Sequence, residues 1–215
     1  GLGASIITKI GEFFRKGRFS DAQDPFDPEK MAGIEELKGI HGVGDAVAST
    51  LYDKGYKSVK DIREKQGGIE LTPIQRIGLK YYEEFVEKIP RDEVSQIAKQ
   101  IKRSCRELFD GEVKVTTCGS YRRGRSECGD VDILLTTKDP NGKVADILPK
   151  LTRHLEKQRF LKEKLQAISA FKTGSYTYMG VCKPVGENTK HRRIDIKAYP
   201  AYQYGYAIMY FTGSF

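Results

Sequence analysis

The sequence predicts an α+β fold, a small sheet covered by helices on one face and preceded by an all-helical domain. Three patterns predict it. Between positions 28 and 82 apolar residues come in short runs broken by glycine, as in a set of short helices. Val94, Ile97, Ala98, Ile101, Cys105 and Leu108 then recur at three- and four-residue steps, which makes one face of a longer helix. Beyond it lie stretches with the two-residue period of strands, above all Arg192-Arg-Ile-Asp-Ile-Lys197.

In chain order, Gly1-Leu-Gly3 leads into Ala4 to Phe14, which reads as a hairpin and then a helix with Ile6, Ile10, Phe13 and Phe14 on one side. Asp21 to Pro28 is acidic and proline-bearing, a domain boundary. In Leu37 to Leu51, Gly42-Val43-Gly44 makes a tight hairpin between two short helices. After Ile89-Pro90 the long helix leads to a first strand, Glu112 to Thr117, and a second follows at Asp130 to Thr136. Val144 to Phe160 reads as a helix with Pro149 near its start or at a kink, burying Leu151 and Leu155. Phe171 to Cys182 and Arg192 to Tyr199 read as strands joined by the polar loop Gly186 to His191. No repeat beyond the two hairpins is expected.

Composition bounds the partners. A formal charge of +8 on 215 residues suits a polyanion, and because Lys and Arg are spread along the chain it suits a broad, backbone-tracking surface. Cys105, Cys118, Cys128 and Cys182 have no paired short spacing, which suggests neither a zinc motif nor a disulfide framework and fits reduced thiols of an intracellular protein. Leu2 to Phe14 is interrupted by Lys9 and Glu12, too short and too charged for a signal peptide or membrane span. A soluble, monomeric protein of the nucleus is expected, with a mitochondrial or other organellar location as the alternative.

The chemistry is concentrated in Cys118 to Thr136. On a strand Asp130 and Asp132 point to one face while Val131 and Ile133 point to the other, into a core. Two like charges held so close repel unless a cation lies between them. Upstream, Gly119-Ser120 with Arg122 and Arg123 forms a turn whose N-H groups, hydroxyl and guanidinium can hold phosphate oxygens opposite those acids. Asp195, between Ile194 and Ile196, supplies a third carboxylate on another strand. Three acids on neighbouring strands can hold two divalent ions, Mg2+ or Mn2+ in its place. Asp130 and Asp132 bridge both, and Asp195 binds the first and is the candidate general base. The combination points to metal-dependent nucleotidyl transfer.

Taken together, Gly78-Leu-Lys-Tyr-Tyr82, Lys88-Ile-Pro-Arg91, Cys118-Gly-Ser-Tyr-Arg-Arg-Gly124, Asp130-Val-Asp132, Tyr178-Met-Gly-Val-Cys182, His191-Arg-Arg-Ile-Asp-Ile196 and Tyr210-Phe-Thr-Gly-Ser214 resemble family X DNA polymerases over nearly the whole chain. The resemblance implies a nucleotidyltransferase-type palm and template-directed filling of short gaps in base excision repair, on gapped or nicked DNA with deoxynucleoside triphosphates. Its metal ligands fall on Asp130, Asp132 and Asp195, and its triphosphate ligands on Ser120, Arg123 and Gly129. Lys88 stands where an arginine is common in the family, a point charge in place of a fork. Tyr210, Phe211 and Gly213 match the segment against the incoming sugar, where backbone crowding excludes a ribose 2′ hydroxyl. Gly42 and Gly44 match a DNA-binding helix-hairpin-helix, in which the carbonyls of Lys38, Ile40 and Val43 hold Na+ or K+. Lys9 matches the nucleophile of a 5′ deoxyribose-phosphate lyase, with Ser5 where a second lysine is common and most other neighbours outside the chain.

The implied domains are a lyase remnant at 1–24, a helical DNA-binding domain at 25–90, the palm at 91–201, and at 202–215 the start of a nucleotide-selecting subdomain, truncated. Without that lid these residues are expected to keep DNA and metal affinity and to polymerise poorly. Some assignments have rivals. Tyr210 and Phe211 read equally as strand core, Ser120 as a turn cap and Arg125 as plain surface. Arg193 either meets a primer phosphate or makes an ion pair, and the hairpin could be a packing corner. The rival functions are a catalytically impaired DNA-binding fragment and a template-independent nucleotidyltransferase; repair proteins are possible partners.

Overall fold

A computed structural model describes residues 4–16, 27–65, 68–186 and 188–213. The chain divides into two compact units, one comprising residues 1–38 and 43–69, the other residues 39–42 and 70–215. The opening Gly1-Leu-Gly3 hairpin lies outside the described residues.

The first unit is helical: α1 (Ala4–Lys16), α2 (Pro28–Lys38), α3 (Asp45–Asp53) and α4 (Val59–Glu64). Leu37, Ala48, Leu51, Tyr52, Val59 and Ile62 are buried. Ser58 caps α4 by accepting from the Asp61 N-H, and Glu36 accepts from the Val59 N-H at 2.9 Å, so polar groups at the helix end are satisfied. The side of α1 that carries Ile6, Ile10, Phe13 and Phe14 is exposed.

The second unit opens with α5 (Pro73–Lys80), started by a capping box in which Thr72 and Gln75 satisfy each other's backbone N-H groups. After α6 (Tyr82–Val86), Ile89 and Pro90 form β1, and α7 (Arg91–Phe109) follows. Next come β2 (Val113–Thr117), the single turn α8 (Gly119–Arg122), β3 (Glu127–Cys128) and β4 (Val131–Thr137). Helix α9 (Ile147–Lys157) leads to β5 (Leu161–Ala170), β6 (Tyr176–Cys182), β7 (Arg192–Ala198) and, after a 3-10 turn, α10 (Tyr204–Tyr210). Five strands form one sheet in the order β2-β4-β7-β6-β5, in which β4 and β7 run parallel and every other pair is antiparallel. The pair β1 and β3 stands apart, with Ile89 opposite Cys128.

Period-two burial sets the faces. Along β7, Ile194, Ile196 and Ala198 are buried and Arg193, Asp195 and Lys197 are only partly so. The buried set joins Val131, Ile133 and Leu135 of β4, Ile97 and Ile101 of α7 and Leu148, Leu151 and Leu155 of α9 in one core. Two expectations are corrected. The segment at 161–170, without a strand reading in the sequence, is β5, the edge strand paired with β6; its irregular register with β6 breaks clean alternation. The acid-bearing face is also not free of helices, because α10 packs Ala207 against Cys118 and Leu134. Tyr210 and Phe211 therefore end a helix rather than fill a strand, since their aromatic β-propensity is outweighed by that contact.

The start of β7 is clamped to the helices before the sheet. Arg192, whose side chain is 3% exposed, donates from Nε and Nη2 to the two carboxylate oxygens of Glu93 at 2.7 and 2.8 Å, and from Nη1 to the carbonyls of Glu84 and Glu87. Removing one partner of so buried a pair strands a charge. Glu93→Ala is expected to lower unfolding stability by about 3–5 kcal/mol. Urea denaturation measures it, and a loss under about 1 kcal/mol, the range of a surface pair, would show that Arg192 finds water or another acceptor. Among the described residues no helix is long and apolar enough to cross a membrane, and the four cysteines are free and buried.

Candidate active site

Parallel pairing of β4 with β7 sets Asp132 directly opposite Asp195 on the partly exposed face. Asp130 lies just before β4. Burial, with the neighbouring Asp130 charge adding to it, pushes the Asp132 carboxyl up to about 6, while Lys197 acts the other way. Lys197 Nζ is 3.7 Å from Asp132 Oδ1 and 3.3 Å from Asp195 Oδ2, so it sits between the two acids. Arg193 Nη2 donates to Asp130 Oδ2 at 3.0 Å.

Among the described residues no three His, Cys, Asp or Glu side chains are grouped as a metal ion would need. Each acid is instead drawn to a cationic side chain of its own strand pair. The donor set nevertheless fits a divalent cation: it offers three hard oxygen donors, and burial together with the Asp130 charge raises one of them to about 6, a penalty that a bound cation would relieve.

Gly119 is the residue that lets the upstream turn reach the acids. It has φ +56°, and a Cβ there would lie 2.1 Å from Asp132 Oδ2. Its N-H donates to the Phe211 carbonyl at 2.8 Å, which corrects the expectation that this N-H is available to a phosphate. Arg123 Nη1 likewise donates to the carbonyls of Thr212 and Gly213 at 2.9 and 3.0 Å. These bonds fasten the Tyr210 to Gly213 segment beside the Gly119-Ser120 turn. Arg91 braces the other side of the turn. Its Nη1 donates to the Tyr121 carbonyl at 2.7 Å and its guanidinium lies 4.0 Å from the Tyr121 ring centroid. Because β1 pairs with β3, Lys88 is brought beside Gly129, where a Cβ would be 3.9 Å from Nζ.

The result is an open cleft of about 650 Å³. Lys88, Ser120, Arg123, Gly129, Asp130, Tyr210, Phe211 and Gly213, the nucleotide-binding set read from the sequence, all line it together with Asp132. Asp195 does not line it; its carboxylate is 3.3 Å from Lys197 Nζ and its register position is opposite Asp132. Arg125, read as plain surface, does line the cleft, with Ser126 and Glu127. Sequence reasoning missed Lys197, which one more step along the β7 alternation from Asp195 would have put on the acids' face.

In the turn between α2 and α3, Gly42 has φ +90° and Gly44 caps α3 in an extended conformation. Gln75 Nε2 donates to the Gly42 carbonyl at 3.0 Å, and a Cβ on Gly78 would meet the His41 carbonyl at 2.4 Å, so the 39–42 segment lies directly on α5. Ile40 is buried. Lys38, at the end of α2, pairs with Glu35 and Asp45; Val43 is buried. Lys9 is in α1, but its side chain lies outside the described residues.

The chain is similar to known proteins over its whole length. The family model for the DNA polymerase beta palm matches residues 88–201. That for the fingers domain of DNA polymerase lambda matches residues 35–86. The whole chain is 34% identical to DNA polymerase lambda of Rattus norvegicus and 33% identical to that of Arabidopsis thaliana. Over 99% of its length it is 25% identical to DNA nucleotidylexotransferase of Gallus gallus. The chain spans 36%, 40% and 46% of these three relatives respectively.

Proposed function

The chain belongs to family X of the DNA polymerases, and from that membership we propose that it catalyses template-directed addition of deoxynucleotides to a primer 3′ hydroxyl in short DNA gaps. The observation that carries the reading is the facing pair Asp132 and Asp195 on parallel strands, beside a cleft lined by the Gly119-Ser120 turn and Lys88.

In the proposed reaction Asp130, Asp132 and Asp195 would hold the divalent cations. Two Mg2+ ions, or Mn2+ in their place, there supply a lowered pKa for the attacking hydroxyl and charge neutralisation for the triphosphate. Asp195 would accept the proton of the attacking hydroxyl. The Ser120 hydroxyl, the Gly129 backbone, the Lys88 ammonium and the donors of Arg123 not spent on the 212–213 carbonyls bind the triphosphate oxygens. Tyr210, Phe211 and Gly213 lie against the sugar. Their backbone is tied to Gly119 and Arg123, a rigid wall that disfavours a 2′ hydroxyl.

The turn carrying Gly42 and Gly44 is proposed to act as a helix-hairpin-helix that contacts DNA phosphates without reading bases. From the sequence resemblance, the carbonyls of Lys38, Ile40 and Val43 are assigned Na+ or K+ there. Base excision repair and a 5′ deoxyribose-phosphate lyase role for Lys9 belong to the same proposal and rest on the resemblance of the sequence motifs, and a nuclear location is proposed from the unpaired cysteine spacing.

The test is extension of a primer across a one-nucleotide gap in Mg2+, with and without the templating base, offering deoxy- and ribonucleotides. Incorporation of the complementary deoxynucleotide and little else is expected. Equal incorporation without a template would favour a transferase like the 25% identical relative, and equal use of ribonucleotides would remove the sugar-wall argument.

A further inference from the structure

Arg193 is gripped from two sides. Nη2 donates to Asp130 Oδ2 at 3.0 Å, and Nη1 is 3.1 Å from Nδ1 of His41. Since a guanidinium can only donate, His41 must accept at Nδ1 and carry its proton on Nε2. Burial, and after it the Arg193 charge, hold His41 below the ordinary histidine range, which keeps the ring neutral and able to accept.

The acceptor stands on a rigid support. The His41 ring meets Phe85 edge to face, with centroids 6.4 Å apart. Its backbone is pressed onto α5 at Gly78, and the adjoining Gly42 carbonyl is held by Gln75. A guanidinium free to turn beside a carboxylate favours two parallel bonds, one from each arm. Here one arm is already engaged, and the contact with Asp130 runs from Nη2 to Oδ2.

We propose that His41 is a positioning residue for the carboxylate site, holding one arm of Arg193 so that the guanidinium contacts Asp130 through a single oxygen and leaves the other for a divalent cation. This rests on the reading of Asp130 as a cation ligand. It gives the 39–42 turn a direct route, two hydrogen bonds long, to a ligand of the reaction centre. A change at the turn then alters cation binding without touching any carboxylate.

Mn2+ affinity, measured by the electron paramagnetic resonance of the free ion, decides it without requiring turnover. His41→Phe keeps the ring against Phe85 but removes the acceptor. It is expected to weaken Mn2+ binding about tenfold, the lower end of the cost of losing a group that orients a metal ligand. His41→Asn, whose amide oxygen can replace Nδ1 as acceptor, should restore most of that affinity. In an Arg193→Ala background, His41→Phe should change nothing. Equal affinity of wild type and His41→Phe overturns the proposal. So does an equal loss in the Arg193→Ala background, which would mark a merely structural role. If the wild type itself binds no Mn2+, the reading of the carboxylates as a metal site fails and this inference with it.

Discussion

Replacing Asp132 by asparagine is expected to abolish nucleotide addition while leaving the fold as stable as the wild type or more so. If Asp132 holds the catalytic cations as proposed, it would support several kcal/mol of transition-state charge, and at about 1.4 kcal/mol per decade its loss would correspond to about a thousandfold or more in kcat. The stability effect runs the other way because of where the group sits. Burial and the Asp130 charge raise its pKa from 3.8 to about 6, so without a divalent cation the ionised form is a burden on the folded state.

The sign follows from proton binding. Between these two values the folded chain holds the Asp132 proton more tightly than the unfolded chain does. This group's contribution therefore falls as pH rises from about 4 through about 6 and is level above. Asp132→Asn removes that fall. In a chelator-containing buffer at pH 7 it should gain about 1–2 kcal/mol, after allowance for the Lys197 contact given up. The advantage over wild type should shrink to nothing towards pH 4. Thermal unfolding across that range, beside a single-turnover primer-extension assay, measures both effects. An asparagine variant that keeps turnover, or melts well below wild type at pH 7, would count against Asp132 as a buried cation ligand.

Gly119→Ala is the second large effect, and it should damage activity and stability together. A non-glycine residue at φ +56° costs about 1–2 kcal/mol. The added methyl would also stand 2.1 Å from Asp132 Oδ2 and 3.1 Å from its Cγ. Neither partner can withdraw easily. The Gly119 N-H is held by the Phe211 carbonyl, and the Asp132 carbonyl by the Cys118 N-H, at 2.8 and 2.9 Å. The carboxylate must rotate out of place, and a displacement of about 1 Å at a reacting centre costs about a hundredfold. Gly124→Ala is the control. It has φ +81° with nothing within 4 Å of the added carbon, so it should show the backbone cost alone, a melting shift with turnover kept. If both variants kept turnover, the tight contact between Gly119 and Asp132 would have no part in aligning the carboxylate.

Much of this site was legible as local pattern. Alternation in Val131-Asp-Ile133 and Ile194-Asp-Ile196 assigned the acids to one face and the aliphatic residues to the core, and the burial along β7 follows it. The three- and four-residue spacing of Val94, Ile97, Ile101 and Cys105 likewise appears as the buried side of α7. Both are short-range signals, set by the geometry of one element. Other features do not exist at that range. β5 escaped notice because an irregular edge strand lacks clean alternation, and α10 because the aromatic run Tyr204 to Phe211 favours a strand until Ala207 meets Leu134.

What the sequence by itself determined is the set of chemical groups and the face of each element on which they lie, since side-chain period is a property of the backbone. Only the tertiary structure decided which groups meet. The parallel register that puts Asp132 opposite Asp195, Lys197 between them, Gly119 against Asp132 and His41 behind Arg193 all join residues far apart in the chain. Such contacts are selected by the packing of whole elements around a shared core, and no local period encodes that choice.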